Sequence, residues 1–521
     1  MIRQDLVAPL AELLDRQAAA HPDKTAFEDG DGAVTYAELN RRTRNLATRL
    51  CAAGLEPGHA VAVWLPNSVD WVVACLATVR AGGISVPISF DSKPDEATYR
   101  LEDAACRMLV TMPDRLALLT PTDRGDLTVI NAGGGDDGGD DAGGDALPFR
   151  DMWDEPVVGI ELVADDIDAT GYIVYTSGTT GKPKGVKLTT RGMLWVNAAC
   201  WAPVVGIGAD DVILSPLPLF HSYALNIAVL GVVANGATEY IMDRFSPRAA
   251  LDLLNTGRFT TMPGVPTMFH YLMQEAAGAP GNPFHSIKRC ISAGAIMPAT
   301  LNNEFEDCFG VQLLDGYGIT ETSTMVTMNW PGPNRVPGSC GLPVPGLAVR
   351  LVDPASGADV ADGAEGELIC RGPNLMQGYH NKPAETAKVL KGGWYHTGDL
   401  ARADKNGFLT ITGRLKEIII RGGQNIAPAE VEETILKSDA VLDCAIVGVA
   451  HETLGEVPYA FVVPKDGAPV DTETLLDHCR ATLSKYKVPV EFRTIDQIPR
   501  TGSGKIMRFR LQDLVDGPSA D

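Results

Sequence analysis

The chain has 521 residues, of which 45% are hydrophobic and 21% charged, and it carries a net charge of −22. Its length exceeds what one compact core holds and implies about two to four structural units, at roughly 100–200 residues each. The composition is ordinary for a globular protein, and the acidity excludes a general affinity for nucleic acid or anionic membrane while leaving room for a local basic pocket.

The amino-terminal run places Leu6, Leu10, Leu13 and Leu14 on one helical face with acids among them, a pattern foreign to a signal peptide. The most apolar stretch, near Leu225–Ala234, is about half the ~20 residues of a membrane span. A cytoplasmic protein without a membrane anchor is expected. The ten cysteines are scattered, with no C-x-x-C pair, so free thiols are expected and not zinc or disulfides.

From residue 35 to 110, helix and strand alternate: TYAELNRRTRNLATRLCAAG is helical, VAVWLP reads as a buried strand, and VDWVVACLATVRAGG is a second helix. That rhythm implies a parallel or mixed sheet covered by helices. The Gly/Asp/Ala run from Asn131 to Leu147 lacks calcium-loop spacing and reads as a solvated surface loop. The α/β rhythm continues from Tyr172 to about Asn329, and short strands punctuated by Gly and Pro follow. After GRLKEIIIRGG, the order changes to a helix at Pro428–Ser438, strands at Val441–Val449 and Tyr459–Val463, a helix at Thr474–Tyr486, and a strand near Phe492. The fold class is therefore α/β. A large amino-terminal domain (1–415) contains layered sheets and a β-rich subdomain at about 331–413, and a small α+β carboxyl-terminal domain spans 416–521.

YTSGTTGKPKG, Tyr175–Gly185, follows the β-like run TGYIVY. Glycines let a backbone approach an anion, and Thr, Ser and Lys side chains supply donors and charge, so the loop suits phosphate. Counting back from Gly181-Lys182 puts Thr176 where the first glycine of a Walker A loop would stand. DGYGITET, Asp315–Thr322, suits a nucleobase stacked on Tyr317, a phosphate bonded by Thr320 and Mg²⁺ held by Glu321, although a capped tight turn explains it equally. In WYHTGD and GR, Asp399 and Arg414 could grip a ribose or form a plain salt bridge. PRTGSGKIMR, Pro499–Arg508, presents Lys505 on a glycine-rich turn; a basic tail is the alternative.

In this order, these motifs resemble the adenylate-forming superfamily of acyl-CoA synthetases, adenylation domains and luciferases, and the resemblance covers nearly the whole chain. It implies a large amino-terminal domain under a small mobile lid, with the hinge at Lys416. It further implies that Thr176, Ser177, Gly178, Thr179, Thr180 and Lys184 cradle the β- and γ-phosphates of ATP. Tyr317 and the Gly294–Ala295 turn would flank adenine, Asp315, followed by Gly316, would face its amino group, and Asp399 and Arg414 would hold the ribose. Thr320 would contact the α-phosphate, Glu321 would hold Mg²⁺, and Lys505 would bridge the substrate carboxylate and the α-phosphate. Rotation of the lid would then bring Arg421, Gly422 and Gly423 to the channel through which coenzyme A enters.

PLPLFHSYALNIAVLGVV, Pro216–Val233, matches the family's acyl-pocket helix, with His221 beside the substrate carboxylate. Tyr223, Leu225, Ile227 and Ala228 follow with no Lys or Arg, which disfavours a second carboxylate and favours an apolar fatty or aromatic monocarboxylic acid. Ala224, Ala293-Gly294-Ala295-Ile296 and Thr190 depart from the commonest family residues without removing a group that the reaction requires. The expected function is ATP-dependent formation of an acyl-adenylate and then of a CoA thioester. The alternatives are delivery to an acyl carrier protein, catalysis of one half-reaction, or a nucleotide- or acyl-binding protein without catalysis. A homodimer remains open.

Overall fold

The computed structural model describes residues 1–132, 147–153, 156–162, 166–176, 182–278, 281–465, 470–500 and 506–516. Most of the expected Asn131–Leu147 surface loop therefore lies outside the described residues.

Two large sheets build the amino-terminal part. The first has eight strands, with Ala60–Trp64, Ile84–Pro87, Cys106–Thr111 and Thr170–Thr176 at its centre. Ala60–Trp64 is buried along its whole length, as a strand covered on both faces must be, which is why it reads as an unbroken apolar run. The second has nine strands, and its parallel centre runs through Leu313–Tyr317, Arg289–Ser292, Thr261–Gly264, Val212–Ser215 and Thr238–Ile241. One hydrophobic core joins the two sheets through the helices Tyr36–Ala52 and Val69–Arg80. Both helices start on a side-chain cap: the Thr35 hydroxyl accepts from the Glu38 amide and Ser68 from that of Trp71, each at 3.2 Å. Every residue of Val69–Arg80 except Asp70 is buried, which explains its lack of a polar face.

The amino-terminal helix runs from Leu10 to Ala20 and so begins later than the leucine spacing suggests. Pro9 stands at its N-cap and disfavours helical geometry in Ala8; Leu6 is buried from a separate short turn, Gln4–Leu6. The apolar stretch near Leu225 is likewise not one regular helix. It passes from Ser222–Ala224 through a π-helical segment, Leu225–Leu230, into Gly231–Asn235. No helix among the described residues is long and apolar enough to cross a membrane.

A five-stranded antiparallel sheet follows, made of Ala348–Val352, Gly366–Arg371, Trp394–Ala403, Leu390–Lys391 and Leu409–Arg414. Beyond it, the strands Ile419–Arg421, Gln424–Ile426, Val441–His451, Gly455–Pro464 and Glu491–Thr494 pair only with one another. Hydrophobic clusters on both faces of this last sheet give the smaller carboxyl-terminal domain a core of its own. The molecule is thus mixed α/β, with a large amino-terminal domain and a small carboxyl-terminal one. The hairpin Ile419–Ile426 and the final helix, Arg508–Asp516, were not among the elements expected.

Candidate active site

The strands Arg289–Ser292 and Leu313–Tyr317 are parallel neighbours, so their carboxyl ends deliver Gly294–Ala295 and Asp315–Tyr317 to the same edge, where open α/β sheets receive ligands. These residues, with Asp399 and Arg414, line a cleft of about 880 Å³ between the two domains. Gly294 adopts φ +90°, a left-handed turn that favours glycine. A Cβ on Gly316 would meet the Met325 Cε at 2.4 Å, and one on Gly318 would overlap the Thr324 carbonyl. Both glycines therefore let Tyr317 sit close against the loop behind it.

Asp315 is only 6% exposed, and its Oδ1 has no hydrogen-bond partner. Burial pushes its carboxyl well above the usual range, only partly offset by Ser292 and the Gly316 amide. A buried acceptor without a donor is costly, and here it borders a cleft. The Tyr317 hydroxyl donates to Asp399 Oδ2 at 2.5 Å, while Arg414 Nε donates to Asp399 Oδ1 at 2.8 Å. Asp399 and Arg414 are directly opposite in adjacent antiparallel strands, which fixes their pairing. A carboxylate has about four acceptor positions, so Asp399 can still receive vicinal hydroxyls.

Thr176 and Lys184 face each other where Thr170–Thr176 and Lys184–Thr189 pair antiparallel. These two strands flank the expected phosphate loop, of which Ser177, Gly178, Thr179 and Thr180 lie outside the described residues. The two lysines of the loop part company. Lys182 rests over the Tyr99 ring at 5.1 Å, whereas Lys184 lies 4.9 Å over Tyr379 and pairs with Glu385 at 2.9 Å. The Tyr379 hydroxyl donates to Glu321 Oε1 at 2.9 Å, so Glu321 and Lys184 meet on opposite parts of one side chain. Nothing in the motifs pointed to Tyr379 or Glu385. Each reaches the site through the pairing of Gly378–Tyr379 with the Lys184 strand across nearly two hundred residues.

Thr320 and Ser222 share a hydrogen bond of 3.1 Å, which ties the His221 segment to the Thr320–Glu321 turn. His221 packs on Phe220 with ring centroids 4.4 Å apart. Behind it, the Tyr223 hydroxyl donates to the Ile291 carbonyl at 3.2 Å, and Leu225, Ile227 and Ala228 are fully buried. Asn226, absent from the sequence expectations, accepts from Trp201 Nε1 at 2.8 Å and donates to the carbonyls of Met193 and Ser323 at 3.0 and 2.9 Å. It holds the π-helical segment against the loop after Thr322.

The carboxyl-terminal domain meets the cleft through Glu432, Asp443, Arg500, Ile506 and Arg508, among others. Lys505 lies outside the described residues; on either side of it, Arg500 and Ile506 form a bridge and the Met507 amide donates to the Pro499 carbonyl at 2.8 Å. Arg421 is not brought to this cleft. Its guanidinium donates to the carbonyls of Tyr486 and Val488 at 2.8 and 3.3 Å, and Gly422 and Gly423 form a left-handed turn beside it, with φ +57° and +80°.

For Mg²⁺, the oxygen set fits a sparse site. No group of three or more His, Cys, Asp or Glu side chains that could hold a metal occurs among the described residues. Glu321 is one carboxylate with one oxygen engaged by Tyr379, which suits an ion that takes its other ligands from phosphates and water.

Comparisons with known proteins agree with this architecture. Residues 14–380 match the family model for AMP-binding enzyme, and residues 430–505 match that for the AMP-binding enzyme C-terminal domain. A feruloyl-CoA synthase from Amycolatopsis is 35% identical over 95% of this chain and 97% of its own. A long-chain-fatty-acid–CoA ligase from Bacillus subtilis is 33% identical over 96% and 94%. The crystal structure of the anthranilate CoA ligase AuaEII in complex with anthranoyl-AMP superimposes with a TM-score of 0.89, at 26% identity, over 99% of both chains. The chain belongs to the AMP-binding enzymes, within the acyl-CoA synthetase family of the adenylate-forming superfamily.

Proposed function

We propose that this enzyme, an AMP-forming acid–thiol ligase that uses ATP and coenzyme A, activates an apolar monocarboxylic acid in the interdomain cleft. The observation that carries the reading is the unpartnered Oδ1 of Asp315, held beside Tyr317 and the Asp399–Arg414 pair. Adenine supplies an amino donor and ribose supplies vicinal hydroxyls, and this arrangement matches both.

The chemical problem is the attack of one anion on a polyanion. It calls for alignment and charge neutralisation and needs no general base. Asp315, Tyr317 and the Gly294–Ala295 turn hold the base, and Asp399 and Arg414 hold the sugar. Thr176, Ser177, Gly178, Thr179, Thr180 and Lys184 hold the pyrophosphate that leaves. Thr320 and Lys505 meet the α-phosphate, with His221 screening the acid. Glu321 would hold Mg²⁺, whose charge offsets that of the phosphates when it is bound. Domain 416–521 then turns about Lys416, withdrawing Lys505 and presenting Arg421, Gly422 and Gly423 to the incoming thiol.

The segment Pro216–Val233 contains no Lys or Arg, and its Leu225, Ile227 and Ala228 are fully buried, so these side chains offer the acid only apolar surroundings. A second carboxylate would be stranded there. The direct test is acid-dependent release of AMP in the presence of coenzyme A, with the thioester identified as product. AMP release without thioester would overturn the proposed acceptor.

A further inference from the structure

We propose that Glu385 is a positioning residue for nucleotide binding: its carboxylate holds Lys184 in the nucleotide-free enzyme and competes with the pyrophosphate moiety for it. The inference rests on the reading of Lys184 as a phosphate ligand and adds the group that opposes it.

The geometry builds Glu385 into place. The strand Gly378–Tyr379 pairs with the Lys184–Thr189 strand, and the His380 amide donates to the Gly185 carbonyl at 2.7 Å. The helix Pro383–Val389 follows at once and is pinned back where the Tyr379 amide donates to the Thr386 hydroxyl at 2.9 Å. Glu385 lies in the first turn of that helix. From there, its Oε2 meets Lys184 Nζ at 2.9 Å, and its Oε1 meets Lys388 Nζ at 2.5 Å.

Lys388 and Lys184 together pull the Glu385 carboxyl down to about 2, so it is anionic at any working pH. Its competition is therefore a fixed charge and not a protonation switch. Lys388 makes the exchange reversible: when phosphate oxygens take Lys184, Glu385 keeps one cation and is not left unpaired. Tyr379 keeps Lys184 near Glu321 throughout, because its ring lies under the ammonium and its hydroxyl bonds the Glu321 carboxylate. A carboxylate at this point loosens ATP in the ground state and helps pyrophosphate to leave once the α-phosphorus bond has broken. Half-exposed ion pairs contribute modestly, so the expected effect is a change of about two- to fivefold.

The test is Glu385→Gln in the full-length enzyme, assayed for the KM of ATP and for inhibition by inorganic pyrophosphate, with Lys184→Ala measured in parallel. Glu385→Gln is expected to lower both the ATP KM and the pyrophosphate Ki by about two- to fivefold at low ionic strength, with the gain shrinking in high salt. A purely structural role would weaken binding, not tighten it. Lys184→Ala is expected to raise both constants. If Lys184→Ala raises them while Glu385→Gln leaves them unchanged or raises them too, the competition is overturned and the role of Lys184 stands. If Lys184→Ala changes neither, the phosphate-binding reading itself fails.

Discussion

Arg508 and Glu417 form an ion pair of 3.0 Å one residue beyond Lys416, and the same guanidinium reaches Glu432 at 2.5 Å and the Ile446 carbonyl at 2.9 Å. Glu417 is thereby fastened to the carboxyl-terminal domain. On the other side, the Leu415 amide donates to the Gly398 carbonyl of the large domain at 2.8 Å. Between these anchors lies the exposed Lys416, the pivot of the proposed domain rotation. Proline there fixes φ and restricts Leu415. Lys416→Pro is expected to slow consumption of acyl-adenylate by coenzyme A on the order of 10- to 100-fold while adenylation falls much less. Equal losses in separately measured half-reactions would place the pivot elsewhere.

Lys505 is assigned to the first half-reaction alone. Removing a fixed cation from a site of developing charge costs roughly 10²–10³ in rate. Lys505→Ala is expected to abolish acid-dependent ATP–pyrophosphate exchange yet leave turnover of preformed acyl-adenylate far less affected. Parallel loss of both would contradict the assignment.

Asp315 offers a split between stability and function. Asp315→Leu removes a buried acceptor that lacks a donor in the nucleotide-free protein, so melting temperature is expected to hold or rise. The KM of ATP is expected to rise about tenfold as the donor on the base loses its partner. An unchanged KM would remove Asp315 from the nucleotide site.

A second buried acid carries a pH signature. Glu239 is fully buried, neither carboxylate oxygen has a hydrogen-bond partner, and desolvation raises its pKa well above the usual value, with Ser215 offsetting little. Below the unfolded pKa, near 4.3, both states hold the proton. As pH rises, the unfolded chain releases it first, so folded stability falls by up to about 1.4 kcal/mol per pH unit until the folded group titrates. Glu239→Gln removes that slope. Its melting temperature relative to the parent is expected to climb between pH 5 and pH 8, and a constant difference would mean that Glu239 is ionised in the folded state.

Much of this was legible in the sequence because it is local. The helices Tyr36–Ala52 and Val69–Arg80, the buried strand Ala60–Trp64 and the alternation after Lys416 all follow from periodicity and caps. The resemblance implied that Asp315, Tyr317, Asp399 and Arg414 serve a nucleotide, and the structure gathers these four around one cleft. What the sequence hid is carried by contacts between distant segments. Tyr379 and Glu385 reach Lys184 only through strand pairing, and Asn226 stabilises a π-helical segment that no helical periodicity reveals.

The acid that the enzyme activates is the sharpest point of this reading. A panel of aromatic, long-chain and dicarboxylic acids, assayed for AMP release with ATP and coenzyme A, tests it most directly. The highest kcat/KM is expected for an apolar monocarboxylate, with the CoA thioester formed in step with AMP. Best activity on a dicarboxylate, or AMP released without a thioester, would contradict it.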